Sequence, residues 1–364
     1  MPGIYPLLFR TLISRRDPEA AHGMAVRWLS LASHLPPALE ALRRLRPRPD
    51  PRLRVSAFGL AFENPLGAAA GLDKEGQAVP ALWALGFGHV EVGTVTPRAQ
   101  PGNPRPRVWR LVEQRAVVNA LGFPSQGAEK VAERCRGLKR RGVLGVNLGK
   151  NRDTPLEQAG EDYAVLVERF AELADYLTIN VSSPNTPGLR SLQLGEQLGR
   201  LLERARHQAE RVAARTGSRP RPLLVKVSPD LTNAELEAVA EVARGAGAAG
   251  IVATNTTTSR EGLGAEAAAL PGGLSGPPLA ARATEAVRVL YRRLDGALPI
   301  VAAGGVGTAE ELVRRVRAGA SLVQLYTAMI YEGPGLAARL LRDLSAIADR
   351  EGWSSIGELV GRDA

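Results

Sequence analysis

Asparagine and lysine side chains recur at the ends of short apolar runs in this 364-residue chain. An amide offers both a donor and an acceptor, and an ammonium group offers a point charge. Such a set predicts a site that holds a planar, polar, anionic ligand by hydrogen bonds. Few carboxylates and no histidine stand at these run ends, so the ligands of a metal site are lacking. The six residues are Lys74, Asn147, Asn180, Asn185, Lys226 and Asn255.

A second, glycine-rich group of residues indicates phosphate binding. The stretch 272–276 (GGLSG) precedes a helical segment, Gly304-Gly305 ends one apolar run, and Tyr326-Thr327 ends the next. Phosphate accepts hydrogen bonds from bare backbone N–H groups and from a helix N-terminus. One Gly-Gly pair is a weak signal, but three such elements together favour a phosphorylated cofactor.

These groups need a scaffold that brings the ends of several strands together. From about residue 65, eight short apolar runs alternate with longer amphipathic segments, among them Asp162–Ala174, Asn233–Ala246 and Ala309–Ala318. Parallel strands need crossovers, and closing the sheet removes its edges, so the pattern predicts an α/β fold, a (β/α)8 TIM barrel. A doubly wound open sheet is the alternative. The runs are Leu66–Leu72, His89–Thr96, Leu144–Gly149, Tyr176–Ser183, Pro222–Ser228, Gly250–Thr256, Pro299–Gly305 and Leu322–Ala328.

The first 50 residues differ from the rest. Asp17-Pro18 predicts the start of a helix that continues to about Ser33, and Pro37–Leu45 predicts a second helix. We therefore predict a small N-terminal helical extension, residues 1–50, before a barrel at 51–364. Its apolar faces either pack on the barrel or contact a membrane or a lipophilic ligand. The stripe on the first helix comprises Ala21, Met24, Ala25, Trp28, Leu29 and Ala32.

Charge and cysteine content narrow the function classes. The net charge is +10, and residues 1–54 contribute +6 of it, from ten arginines and four acidic residues. A basic segment with apolar faces suits an anionic membrane surface at least as well as a nucleic acid, although a merely solvated arginine-rich face is the simpler interpretation. The single cysteine, Cys135, excludes disulfides within the chain and lies in a charged helical stretch, Glu129–Arg141. No signal peptide and no 18-residue apolar run is evident, so any membrane contact is expected to be peripheral.

Nine stretches in order resemble class 2 dihydroorotate dehydrogenases. They cover the whole predicted barrel, and the similarity extends into the extension at DPEAAHGM. The resemblance implies oxidation of (S)-dihydroorotate to orotate in pyrimidine biosynthesis, with FMN as cofactor and a membrane quinone as final oxidant, at the cytoplasmic face of the cell membrane. It implies neither a metal nor a nucleic-acid partner. The stretches are NPLGAAAGLDK, GFGHVEVGTVTPRAQPGNPRPR, VVNALGF, GVNLGKN, INVSSPNTPGLRSLQ, VKVSPD, GIVATNTT, GGLSGPPL and GASLVQLYTA.

The resemblance also implies roles for individual residues. Ser183 matches the catalytic base, and His22, Arg110 and Tyr326 match residues that line a quinone tunnel. FMN would contact Ala70, Gly71, Leu72, Asp73, Lys74, Thr94, Asn147, Asn180, Lys226, Thr254, Gly276, Gly305, Tyr326 and Thr327. Dihydroorotate would contact Lys74, Asn119, Ala120, Leu121, Gly122, Phe123, Asn180, Asn185, Asn255 and Thr256.

These roles are chemically sensible. Lys74 can pair with the substrate carboxylate, and Lys226 can stabilise negative charge on the reduced flavin. By the family's mechanism, Ser183 removes a C5 proton as hydride leaves C6, and the loop Pro184–Gln193 could exclude water by closing.

Alternatives remain open at this level. Soluble class 1 relatives, which use fumarate or NAD, have a cysteine base, whereas this chain has Ser183 and its Cys135 lies elsewhere. A tRNA dihydrouridine synthase would use a cysteine acid, and a basic membrane- or RNA-binding module would leave the polar ring unexplained. Departures from the family pattern are modest: Ala120-Leu121 replaces bulkier or basic residues, and Thr327 replaces a usual serine.

Overall fold

The computed structural model describes residues 4–364, so the first three residues of the predicted extension lie outside it. The strands are β1 Val55–Ala57, β2 Leu60–Phe62, β3 Leu66–Ala68, β4 His89–Val95, β5 Val108–Leu111, β6 Ala116–Asn119, β7 Val143–Leu148, β8 Tyr176–Asn180, β9 Leu223–Val227, β10 Gly250–Ala253, β11 Gly273–Ser275, β12 Ile300–Ala303 and β13 Ala320–Leu325. The α-helices are α1 Ile4–Leu8, α2 Pro18–His34, α3 Pro36–Leu45, α4 Val79–Leu85, α5 Ala128–Arg136, α6 Ala159–Phe170, α7 Gly195–Thr216, α8 Asn233–Gly245, α9 Ala265–Ala268, α10 Ala280–Leu294, α11 Ala309–Arg317, α12 Thr327–Glu332 and α13 Leu336–Glu351.

The eight predicted runs form one closed parallel barrel, in the order β3-β4-β7-β8-β9-β10-β12-β13 with β13 paired to β3. The TIM-barrel prediction is confirmed and the open sheet is excluded. Most strands end one to four residues before the predicted runs do. The remaining residues of each run turn into loops at the carboxyl ends of the strands, which is the end where TIM barrels bind their ligands.

Two of the helices that follow barrel strands begin with a capping box. Thr232 and Glu235 form a capping box at the start of α8, and Thr308 and Glu311 form another at α11. Each box satisfies backbone donors that a helix start leaves without partners. The predicted bounds are met within one residue in these two helices, whereas α6 begins three residues earlier and ends four earlier than predicted.

The lone cysteine is buried in a helix. Cys135 lies in α5 and is 3% exposed. Burial raises the pKa of its thiol to about 12, so it stays protonated near neutral pH and is a poor nucleophile.

Two small sheets were not predicted. The hairpin β1–β2 lies against the amino-terminal ends of the barrel strands, where the rings of Phe58 and Phe62 contact those of Tyr176 and His89 at centroid distances of 5.4–5.6 Å. At the opposite end, β5, β6 and β11 form a three-stranded antiparallel sheet beside the cavity. The strands of these two sheets have three or four residues each, too few for a period-2 pattern to be recognised.

The extension packs on the barrel through only part of its apolar surface. Asp17 caps α2 by accepting the Ala20 N–H at 2.7 Å, as predicted. Glu19, in the first turn of α2, pairs with the buried Arg107 at 2.6 Å. Ala21 is buried, but Trp28 is 66% exposed. No helix in residues 4–364 is long and apolar enough to cross a membrane.

Candidate active site

Two adjoining cavities open at the carboxyl ends of the barrel strands. The mouth cavity has a volume of about 320 Å³, and the long cavity, which continues beneath α2, has about 560 Å³. Ala70, Lys226 and Tyr326 line both. A flavin and a second ring therefore have room side by side, with a path outward under the extension.

Most of the residues singled out from the sequence line these cavities. Those at the mouth cavity are Ala70, Lys226, Thr254, Asn255, Thr256, Gly276, Gly305, Tyr326 and Thr327. Those at the long cavity are His22, Ala70, Gly71, Leu72, Lys74, Thr94, Arg110, Asn119, Leu121, Gly122, Phe123, Asn180, Ser183, Asn185, Lys226, Asn255, Thr256, Tyr326 and Thr327.

Asp73, Ala120 and Asn147 line neither cavity. The Asp73 carboxylate is buried and accepts the backbone N–H groups of Gln77 and Ala78 at 2.9 and 2.7 Å, so it holds the turn before α4. The Ala120 N–H donates to the carbonyl of Arg107 at 2.8 Å. The structure thus gives Asp73 and Ala120 structural contacts, and their predicted ligand contacts stay predictions.

Asn147 lies directly behind the cavity wall and orients two residues that form it. Its Oδ1 accepts the Thr94 hydroxyl at 2.6 Å and the Asn180 amide at 2.9 Å. The Asn180 amide also reaches Thr94 Oγ1 at 3.0 Å. The ends of β4, β7 and β8 therefore present a hydrogen-bonded unit in which each amide has one orientation.

Glu91, which the sequence analysis missed, anchors this unit from the barrel interior. It lies in β4, is fully buried, and accepts the Asn147 amide at 2.8 Å. Tyr176, Thr178 and Gln324 donate to its other oxygen at 2.9–3.1 Å. The only sequence signal was a lone acid in an otherwise apolar run, HVEVGTV.

The two lysines face the cavity without acidic partners. Neither ammonium group lies within 4 Å of a carboxylate in the described part of the chain. Burial lowers the pKa of Lys226, and Glu91 opposes that shift. Burial also lowers the pKa of Lys74 to about 8, with Glu19 opposing it. Buried cations of this kind are stabilised by an anionic ligand.

Ser183 lies at the wall of the long cavity and is 5% exposed. Its Oγ accepts the Asn185 N–H at 3.2 Å, and the Asn185 amide donates to Asn119 Oδ1 at 3.1 Å. The loop that follows is anchored at its far end, where Gln193 Oε1 accepts the Ser228 N–H at 2.8 Å. Ser183 is thus held in an enclosed place beside two of the predicted substrate contacts, Asn119 and Asn185.

The mouth cavity has the features of a phosphate cradle. Gly276 and Gly305 have φ of +102° and +73°. A Cβ at Gly276 would lie 2.9 Å from Ala116 Cα, and one at Gly305 would lie 2.6 Å from Ala280 Cα. Their N–H groups have no acceptor within residues 4–364. Because Thr327 begins α12 beside them, a phosphate fits this corner.

The outer part of the long cavity is apolar and is bounded by the extension. The rings of His22 and Tyr326 meet edge to face at 6.1 Å. Burial lowers the pKa of His22 to about 3, so this imidazole is neutral. Arg110 donates to the carbonyl of Ile13 at 2.9 Å. Leu8, Leu12, Met24, Trp28 and Leu29 complete this part of the lining.

Sequence reasoning also missed Glu19 and Arg115 among the lining residues, and it gave no individual role to Ser275 of the stretch 272–276. Ser275 accepts the Thr327 hydroxyl at 2.8 Å and lies in β11, one of the unpredicted strands. Glu19 faces the long cavity, and Arg115 faces the mouth cavity. Their positions depend on the small sheet and on α2 packing, which no local pattern reveals. No cluster of three or more histidine, cysteine or acidic side chains suited to a metal occurs within residues 4–364.

Comparison with known proteins agrees with this geometry. The sequence model of the family described as dihydroorotate dehydrogenase matches residues 52–347. A protein named dihydroorotate dehydrogenase (quinone) from Rhodospirillum rubrum is 50% identical over 97% of this chain and 93% of its own length. One of the same name from Thermus thermophilus is 51% identical over 94% and 97%.

Solved structures give the same result. A DHODH from Eimeria tenella in complex with ferulenol superposes with a TM-score of 0.89 at 39% identity, covering 98% of both chains. The ligand-free form from the same organism gives a TM-score of 0.86 at 41% identity, covering 95% of this chain and 99% of the other. The chain therefore belongs to the dihydroorotate dehydrogenase family, in its class 2 branch.

Proposed function

We propose that this chain oxidises (S)-dihydroorotate to orotate in pyrimidine biosynthesis, with FMN as hydride acceptor and a quinone as final oxidant. One observation carries the proposal: a phosphate cradle, a ring of oriented amides with two lysines, and an apolar passage lie in sequence along two adjoining cavities. The name shared by the relatives, dihydroorotate dehydrogenase (quinone), supports the same activity.

FMN supplies the two-electron acceptor, and the cavity residues fit it. Gly276, Gly305 and Thr327 would receive its phosphate through backbone N–H groups. The ammonium group of Lys226 has no hydrogen-bond acceptor within residues 4–364. It would stand beside the flavin ring system and favour negative charge on it. Asn147 holds Asn180 and Thr94 in place, and these two residues would set how deeply the flavin ring enters the cavity.

Dihydroorotate would lie in the inner part of the long cavity. Lys74 is the one ammonium there besides Lys226 in the described part of the chain, and it would pair with the substrate carboxylate. The amides of Asn119, Asn185 and Asn255 would meet the donor and acceptor edges of the pyrimidine ring. Thr256, which lines the same space, would add one further contact.

Ser183 would take the C5 proton of the substrate on its Oγ as its own hydroxyl proton passes to a water molecule in the long cavity. The Asn185 N–H occupies one lone pair of this oxygen and leaves the other for the proton. A serine hydroxyl is a weak base in water, so the step needs an enclosed site. The near-complete burial of Ser183 and the anchored loop at 184–193 provide it.

The extension would bind the membrane peripherally and admit the quinone, at the cytoplasmic face of the cell membrane. Seven of the ten exposed large apolar side chains in residues 4–364 belong to it. Arginines stand among them and would contact anionic headgroups. His22, Arg110 and Tyr326 would then line the passage that the quinone enters. The seven are Leu7, Leu8, Leu12, Trp28, Leu31, Leu35 and Leu45.

A spectroscopic experiment tests this function. Purified protein should be yellow with bound FMN, and anaerobic dihydroorotate should bleach it. Reoxidation should then be much faster with a soluble quinone analogue than with fumarate or NAD+. A folded but colourless protein that takes up no FMN, or equal reoxidation by fumarate, would contradict the proposal.

A further inference from the structure

One buried arginine contacts the peptide that precedes Gly305 of the phosphate cradle without lining the cavity itself. Arg315 lies in α11 and is 2% exposed. Its Nη2 donates to the carbonyl of Ala280 at 2.9 Å and to that of Gly304 at 2.7 Å. Ala280 is the first residue of α10, and Gly304 directly follows β12. The guanidinium therefore ties the start of a helix to the end of a strand.

The Gly304 carbonyl belongs to the same peptide group as the Gly305 N–H, which has no acceptor within residues 4–364 and lines the mouth cavity. A cation at a peptide oxygen draws electron density away from the nitrogen, so the N–H becomes a stronger donor. The contact with Ala280 acts sterically, because Ala280 Cα would lie 2.6 Å from a Cβ at Gly305. Both contacts of Arg315 thus converge on Gly305.

The charge of Arg315 lacks a carboxylate partner. No acidic oxygen lies within 4 Å of its guanidinium in the described chain, and its buried Nη1 has no hydrogen-bond acceptor there. Glu311, one turn away, uses its carboxylate for the N–H groups of Gly307 and Thr308. Burial lowers the pKa of Arg315 to about 10, which leaves it charged at neutral pH. Such a cation is costly unless an anion is near.

We propose that Arg315 is a positioning residue for the cofactor phosphate: it fixes and polarises the 304–305 peptide and supplies a buried positive charge behind the cradle. This inference rests on the proposed function only in taking FMN as the ligand. It predicts an effect specific to the phosphate, because the isoalloxazine would lie beside Lys226, whereas Arg315 contacts the peptide of Gly305, which would hold the phosphate.

Riboflavin, which lacks the phosphate, provides the test. FMN-loaded protein is incubated with increasing concentrations of riboflavin. The released FMN is separated from the protein by ultrafiltration and quantified by chromatography. In Arg315→Met, the riboflavin concentration that displaces half of the FMN should fall by about tenfold or more relative to the unchanged chain. Arg315→Lys keeps the charge, but its side chain is one atom shorter and its ammonium stops short of the position of Nη2, so a fall of about threefold is expected.

Arg317→Met is the matched control, because Arg317 lies in the same helix and pairs with Glu351 at 2.7 Å on the surface. Its half-displacement concentration should stay unchanged. If Arg315→Met does not fold, Arg315→Lys decides alone. An unchanged preference for FMN over riboflavin in the variants that fold would overturn the proposal, even if both flavins bind more weakly. Bleaching by dihydroorotate in the unchanged chain tests the proposed function separately.

Discussion

At the barrel mouth the amide side chains hydrogen-bond one another, whereas in the extension seven large apolar side chains are exposed. Asn147 is bonded to Thr94, Asn180 and Glu91, and each bond fixes its orientation before any ligand arrives. By contrast Trp28 is 66% and Leu12 58% exposed. The mouth is therefore preorganised by the protein, whereas the extension leaves apolar surface open for the membrane contact proposed above.

The largest expected effect is at the mouth. Ser183→Ala should keep bound flavin but slow its reduction by dihydroorotate by about 10²–10⁴-fold, the usual loss when a general base is removed. Anaerobic stopped-flow absorbance measures the rate. Ser191→Ala, an exposed serine farther along the loop, is the control and should behave as the unchanged chain does. Near-normal reduction in Ser183→Ala would exclude it as the base.

The second prediction tests whether the barrel interior preorganises the mouth. Glu91→Gln places an amide donor against the donors Tyr176, Thr178 and Gln324, so the free energy of unfolding should fall by about 3 kcal/mol, since bonds to charged groups are worth ~1.5–3 kcal/mol each. Urea titration at saturating FMN measures it. Glu241→Gln, at a surface ion pair, should cost under about 1 kcal/mol. If the free energy of unfolding fell equally in the two variants, the hydrogen bonds of Glu91 would not anchor the mouth.

The third prediction concerns His89, a buried imidazole at the amino-terminal end of the barrel strands. Burial lowers the pKa of His89 to about 3, against 6.5 in the unfolded chain. Between those values the unfolded state binds the extra proton, so stability is full above pH 6.5 and falls as the pH drops below it. Between pH 7 and pH 5 the free energy of unfolding should therefore fall by about 2 kcal/mol on account of His89.

Replacing the imidazole removes this dependence. Urea titrations of His89→Leu should show a pH 7 to pH 5 difference that is smaller by about that amount, while His207→Gln, on an exposed helix face, should leave the difference unchanged. If His89→Leu keeps the full pH dependence, His89 does not become protonated on unfolding in this range.

The smallest expected effect is in the extension. Trp28→Ser should weaken binding to vesicles that contain anionic lipid by about tenfold, because a large apolar side chain no longer enters the bilayer interface. Vesicle co-sedimentation measures it. Val165→Ser is the control, since Val165 is 54% exposed on a barrel helix. A similar loss in both variants, or in neither, would remove Trp28 from the contact.

The barrel could be predicted from the sequence because each of its strands is buried on both faces, which makes eight continuous apolar runs. The hairpin β1–β2 and the sheet β5-β6-β11 could not, since three or four residues leave no periodic signal. Most cavity residues were found because they stand directly after those runs. Glu91 was missed because its partners come from three other strands, β7, β8 and β13, and only barrel closure brings them together.

The ion pair between Glu19 and Arg107 couples the stability of the barrel to the presence of the extension. Arg107 is 7% exposed, and both oxygens of Glu19 accept its guanidinium, at 2.6 and 3.1 Å. A chain shortened to begin after residue 50 would therefore leave Arg107 without its carboxylate partner. Removing one member of a buried pair is strongly destabilising. A soluble short form should accordingly be sought with Arg107→Met in place.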